Sequence, residues 1–210
     1  MNHKKVVIID YGVGNTQSVF NAISKLDCRV RISDRLADIR NADALILPGV
    51  GAFDEAMKNF DQRDLRTVLE SEVIAGGKPI LGICVGMQML SEYSEENGHH
   101  SGLGWIPGSV RKIVSPSGYS VPHVGWNDVA VHMEAPLFAR ARSSFHFYFD
   151  HSYHFQCEKK YVGAFCSYGI EIVAAVQKEN IFGVQFHPEK SQLSGLRLLK
   201  SFLVSGGATC

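Results

Sequence analysis

The stretch Pro79-Ile80-Leu81-Gly82-Ile83-Cys84-Val85-Gly86-Met87-Gln88 decides the architecture. Ile80 to Ile83 is a short apolar run of the kind that forms a parallel strand buried on both faces. It breaks at Cys84 between two glycines, and a helical pattern resumes from Met87 to Tyr93. Strand, tight turn and helix, with a thiol at the turn, make the cysteine form of the G-x-S-x-G nucleophile elbow. Glycine is required at 82 and 86 because a side chain would collide with the neighbouring strand or helix in so sharp a bend. The sulfur then faces the free amides of a helix start, which favour negative charge. The Val85 N–H points where an oxyanion would form. Cys84 is a candidate nucleophile; the competing reading is a structural cysteine buried at a strand end.

Outward from the elbow, strand and helix signals alternate. Val6 to Ile9 is another buried run, followed by the loop Asp10-Tyr11-Gly12-Val13-Gly14-Asn15 and a helix with Val19, Phe20, Ile23 and Leu26 on one face. That loop is not a dinucleotide fingerprint, because Gln17 stands where G-x-G-x-x-G needs its last glycine. A strand over Cys28 to Ile32 and a short helix near Arg35 to Arg40 come next. Ala44 to Leu47 forms a third buried strand, and it ends in Pro48-Gly49-Val50-Gly51-Ala52-Phe53. Such a loop at the carboxyl end of a central strand is either an ordinary connection or a second source of oxyanion N–H groups. Glu55 to Ala75 carries one or two amphipathic helices stopped by Gly76-Gly77. The alternation predicts a doubly wound, mostly parallel α/β sheet.

Beyond Ser109 the pattern changes to short strands over 110–114, 128–131, 144–149, 161–166 and 172–176, read as β-structure added beside the parallel core. Pro122-His123-Val124-Gly125-Trp126-Asn127 has a turn-like composition that interrupts them. His146, His151, His154 and Cys157 have residue types that bind zinc, but strand alternation divides them between two faces, so no metal is expected. Ile181 to Lys190 is the second informative stretch: a strand ending in His187-Pro188-Glu189. Residues two apart in extended chain point to one side, so Glu189 is placed to orient the His187 ring, and Pro188 keeps His187 extended. His187 then takes the thiol proton and Glu189 supports the imidazolium. The alternative is a lone histidine beside an acid. A last amphipathic helix runs from Ser191 to Val204.

The chain as a whole sets limits on function. Its 210 residues suit a single domain, 1–210, and 21 basic against 21 acidic residues give no net charge to draw nucleic acid or an anionic membrane. Five cysteines (Cys28, Cys84, Cys157, Cys166, Cys210) are scattered without C-x-x-C spacing, which argues for a reducing, cytoplasmic setting. Neither a signal peptide nor a membrane-spanning run is apparent.

Together, G-I-C-V-G-M-Q and Q-F-H-P-E-K-S resemble the class I, triad-type glutamine amidotransferases. Within that family Asp10-Tyr11-Gly12-x-Gly14-Asn15, the 47–53 loop, Pro122-His123-x-Gly125-Trp126-Asn127 and Phe147-Tyr148-Phe149-x-His151-Ser152-Tyr153 are similar to the glutaminase subunits of imidazole glycerol phosphate synthase. The resemblance implies a flavodoxin-like sheet with added antiparallel strands and a cofactor-free hydrolysis of L-glutamine by Cys84, His187 and Glu189. Val50, Gly51 and Val85 would form the oxyanion hole, and Gly49, Gln88, Glu96, Ser152 and Tyr153 would hold the glutamine. Trp126, Tyr148 and Lys190 would face a cyclase subunit, a (β/α)₈ barrel that receives the ammonia in histidine biosynthesis. Asp150 departs from the pattern, since a small apolar residue is usual there. It resembles paralogues that serve a sugar amidotransferase in surface-polysaccharide synthesis, which stays open as the alternative.

Overall fold

A computed structural model describes residues 3–12, 14–114, 116–132, 135–138 and 145–205. Strands and helices alternate through the first half: β1 (Lys4–Ile9), α1 (Thr16–Ile23), β2 (Cys28–Ser33), α2 (Leu36–Asn41), β3 (Ala44–Leu47), α3 (Phe53–Asp61), α4 (Leu65–Leu69), β4 (Ile80–Ile83) and α5 (Val85–Gln88). Helix α4 continues into a wider, π-type segment over Glu70–Ala75. The second half is mostly strand: β5 (Tyr93–Ser94), β6 (His100–Ser101), β7 (Ser109–Lys112), β8 (His123–Val131), β9 (Phe145–His151), β10 (Tyr153–Gln156), β11 (Val162–Ser167), β12 (Glu171–Lys178) and β13 (Ile181–Val184), closed by α6 (Gln192–Ser205).

Nine strands form one sheet in the order β2-β1-β3-β4-β13-β12-β11-β8-β9. The first five are parallel; β1, β3, β4 and β13 carry the continuous apolar runs of strands covered on both faces, while the edge strand β2 alternates, and the other four strands add on antiparallel. All four residues of β3, β4 and β13 are buried. Helix α1 meets α6, and α2 meets α4, so two groups of helices cover the two faces of the parallel half. A smaller sheet, β10-β7-β5-β6, stands beside the main one. The chain leaves β1 for β2 and returns to the other side at β3, and a reversal of this kind opens a crevice at the carboxyl ends of the strands. The loops after β1, β3, β4 and β13 all emerge there.

Three expectations change. The elbow helix is not a run over Met87–Tyr93 but the single turn of α5, which starts earlier and gives way to turns after Gln88. The chain must then pass into β5, which pairs with β6 and β7. The 122–127 segment does not interrupt the added strands: His123 to Asn127 is the first half of β8, held by register pairing from His123–His151 to Val129–Phe145. Glu189 is not in extended chain either, because Pro188–Lys190 is a 3₁₀ turn, whose first position suits the fixed φ of proline. Ser144, the expected start of the 144–149 strand, and Cys210 lie outside the described residues. Among those described, no helix is long and apolar enough to cross a membrane.

Candidate active site

The elbow is built as tightly as its glycines demand. A Cβ on Gly82 would lie 2.5 Å from the Gly86 carbonyl oxygen, and one on Gly86 would overlap the Leu47 carbonyl of β3. Between them Cys84 adopts φ 53 and ψ −110, outside the regions where non-glycine residues rest. Strain of this kind is kept only where the surroundings impose it, here by the bond from Cys84 N–H to the Val184 carbonyl of β13. Val85 opens α5, so its amide has no helical carbonyl one turn back to receive it.

His187 follows β13, the strand beside β4, and its Nδ1 lies 2.8 Å from Glu189 Oε1. Both side chains are buried. Burial draws the His187 pKa down, but hydrogen bonds with Cys84 and Glu189, and the charge on each, outweigh it and raise the value to about 10. At neutral pH the ring thus holds a proton beside the sulfur. The 3₁₀ turn curls the carboxylate back onto the ring, a contact that extended chain was expected to provide.

Most of the other predicted residues line one cleft of about 280 Å³ that opens on Cys84 and His187: Val50, Gly51 and Val85, then Gln88, Glu96, Ser152 and Tyr153, with Asp150 and His151 alongside. Gly49 packs behind the wall, where a Cβ would be 2.6 Å from the Gly86 amide nitrogen. Glu96 is half-buried and accepts the Phe53 N–H at 2.9 Å. Burial raises its pKa and Asp54 adds to the rise, against the opposing Phe53 bond, so a cation beside it would be welcome. Trp126, Tyr148 and Lys190 cluster away from the cleft, with the Lys190 ammonium 5.4 Å from the Tyr148 ring and the Trp126 ring edge-on to it. A larger hollow of about 480 Å³ beside β1 and β2 is lined by none of the predicted residues.

Four contributors escaped the sequence reading. Asn15 donates from Nδ2 to the same Glu189 Oε1 at 3.1 Å. The buried Tyr11 hydroxyl donates to the Pro48 carbonyl at 2.5 Å, anchoring the 48–51 loop, and burial with the nearby Cys84 charge drives its pKa far up. Gln185 places its side-chain nitrogen 3.7 Å from Cys84 Sγ. Ser191 accepts the Tyr148 N–H at 3.0 Å and donates to the His187 carbonyl at 2.6 Å, while His187 N–H binds the Tyr148 carbonyl at 2.9 Å. Spacing carried a signal for Gln185, which lies two residues before His187 in extended chain. Asn15 stood in a motif that carried the family resemblance, but its spacing gave it no role, since the contact joins distant parts of the sequence.

Residues 7–205 match the model of the class-I glutamine amidotransferases. The chain belongs to that family. Among relatives of this amidotransferase, the imidazole glycerol phosphate synthase subunit HisH 2 of Vibrio vulnificus is 50% identical over 95% of this chain and 94% of its own length. Subunit HisH of Listeria monocytogenes is 45% identical, covering 94% of each chain. Subunit HisH 1 of Campylobacter jejuni is 42% identical over 94% of this chain and 98% of its own. Solved structures share the amidotransferase fold: one described as a glutamine amidotransferase superposes with TM-score 0.75 at 20% identity, covering 96% of this chain and 99% of its own. PurLQS of Thermotoga maritima gives TM-score 0.74 at 19% identity, with 97% and 99% covered.

Proposed function

We propose that this chain is the glutaminase subunit of an imidazole glycerol phosphate synthase, working in the cytoplasm. The observation that carries the chemistry is a buried Cys84–His187–Glu189 constellation at a strained elbow, with His187 Nδ1 and Glu189 Oε1 2.8 Å apart. The Cys84 sulfur adds to the side-chain amide carbon of L-glutamine. The oxyanion that forms is met by the Val85 N–H and by an amide of the Val50–Gly51 segment. As the C–N bond breaks, His187 passes its proton to the leaving nitrogen, which departs as ammonia. A thioester remains; His187 takes a proton from water, the hydroxyl adds to the thioester carbon, and glutamate leaves as the thiol is restored.

Glu96 supplies a carboxylate for the α-ammonium group of glutamine, while Gln88, Ser152 and Tyr153 line the same cleft and help hold the molecule. The Trp126–Tyr148–Lys190 cluster docks a (β/α)₈ cyclase, and ammonia passes into that barrel to yield imidazole glycerol phosphate and the aminoimidazole carboxamide ribotide. Relatives at 42–50% identity bear the synthase-subunit name, so the polysaccharide alternative raised by Asp150 is not favoured.

Glutamate release is the test, measured with the chain alone and then with the histidine-pathway cyclase and its nucleotide ligand. Release is expected to be slow alone, to rise strongly in the complex, and to fall about 10⁴-fold or more in Cys84→Ala. Rapid partner-independent turnover would refute the coupling, and an unchanged Cys84→Ala rate would refute the nucleophile.

A further inference from the structure

Gln185 is wholly buried between β13 and His187, yet its side chain is polar at both ends. A buried amide is tolerated only when its groups are bonded, so both of its partners matter. Which end faces which partner follows from a backbone carbonyl. Tyr153 O can only accept, and the Gln88 side-chain atom 3.1 Å from it is therefore the nitrogen. The same nitrogen lies 3.1 Å from Gln185, so it spends its second hydrogen there and the atom of Gln185 it meets is the oxygen. The other end of the Gln185 amide is then the nitrogen, and it lies 3.7 Å from Cys84 Sγ. The reverse placement would set nitrogen against nitrogen on one side and leave the sulfur facing a carbonyl oxygen.

We propose that Gln185 is a further catalytic residue, one that donates an N–H to the Cys84 sulfur and holds it aimed into the cleft, in an orientation imposed by Gln88. The role rests on Cys84 being the nucleophile. The N–H bond steadies the sulfur while it carries charge, before the attack and again when the thioester breaks. Gln88 keeps its own carbonyl oxygen for the substrate and turns the Gln185 donor toward the thiol, so one side chain serves both binding and chemistry. A merely supporting Gln185 would act through Gln88 alone and change how tightly glutamine binds. A donor to sulfur changes how fast the bound thiol reacts.

Two probes on the full-length chain separate these. Iodoacetamide alkylation of Cys84, located by peptide mass and followed across pH, reads the thiol without needing the glutamine pocket. Inactivation by a diazoketone analogue of glutamine yields a maximal rate and a half-saturating concentration. In Gln185→Met we expect alkylation near neutral pH to slow roughly tenfold, the size of one lost hydrogen bond. Its pH profile should move upward, and the maximal inactivation rate should fall similarly. Gln185→Glu keeps an acceptor for Gln88 but sets an oxygen against the sulfur, and it should lose at least as much rate with a smaller change in half-saturation. Labelling at Cys157 and Cys166 is disfavoured, because burial pushes the first thiol up to about 11 and the second up to about 12, and the peptide masses separate Cys84 from Cys28 and Cys210. A folded variant that alkylates with the wild-type rate and profile overturns the role of Gln185. A wild-type chain that does not label at Cys84 overturns the nucleophile instead. Should a variant fail to fold, the unmutated chain still decides: the Gln185 side-chain amide signals in a ¹⁵N spectrum must shift when Cys84 is alkylated, and unmoved signals overturn the contact.

Discussion

Glu189 Oε1 receives two donors, the His187 ring and Asn15 Nδ2. The second matters because a buried carboxylate with fewer donors orients its histidine less firmly. Asn15→Ala is expected to lower glutamine turnover about 10- to 100-fold, the worth of one hydrogen bond to a charged group, with little change in KM. Steady-state kinetics in the complex checks this, and a change confined to KM would contradict it. At this scale the sequence was unevenly legible. Cys84 and His187 were legible because each sits in a local pattern, the elbow and the strand-end His-Pro-Glu, that suggests its chemistry. Asn15 and Tyr11 do not, because their work is done on residues far along the chain, and only the shared carboxyl edge of the sheet brings them there.

Among the elements, the elbow fixes β3 and β4 at a spacing that leaves no room for a side chain at position 86. Gly86→Ala should therefore cost about 3 kcal/mol or more of stability, read as a fall in the urea midpoint. Ser191 joins β9 to the turn that bears His187, and its buried hydroxyl serves two backbone groups. Ser191→Ala leaves both without that partner, for an expected loss of about 1–3 kcal/mol in the same measurement. The buried parallel strands were legible because residues covered on both faces leave an unbroken apolar run. The true lengths of α5 and β8 were not. Pairing partners set them, β9 for β8 and the passage into β5 for α5, and neither partner shows in a local window.

Across the molecule, histidines pull the pH dependence of stability in two directions. His123 Nδ1 and His151 Nε2 lie 3.0 Å apart, with His151 at the cleft wall, and His151 Nδ1 faces the Tyr153 carbonyl at 2.8 Å. Burial lowers His123 to about 4 and His151 to about 3, the latter helped by the neighbouring His123, His154 and His187. The unfolded chain binds protons that these rings refuse, so their contribution is full above about 6.5 and is lost as pH falls toward 3. His187 is the reverse: its value near 10 gives stability that is full below about 6.5 and is lost as pH rises toward 10. Each ring contributes at most about 1.4 kcal/mol per pH unit. Urea titrations from pH 4 to 8 should show a shallower acid limb in His123→Gln than in the wild type. An identical limb would mean that His123 does not titrate as its burial requires.

Tyr148 stands on the outer surface with Lys190 and Trp126, yet its backbone grips both the amide and the carbonyl of His187, the latter through Ser191. His187 is thus fastened to β9 at Tyr148, a residue that does not line the cleft. A small molecule wedged beside Tyr148 would displace the His187 ring without entering the cleft. Its inhibition would be indifferent to glutamine concentration, and no excess of substrate would relieve it.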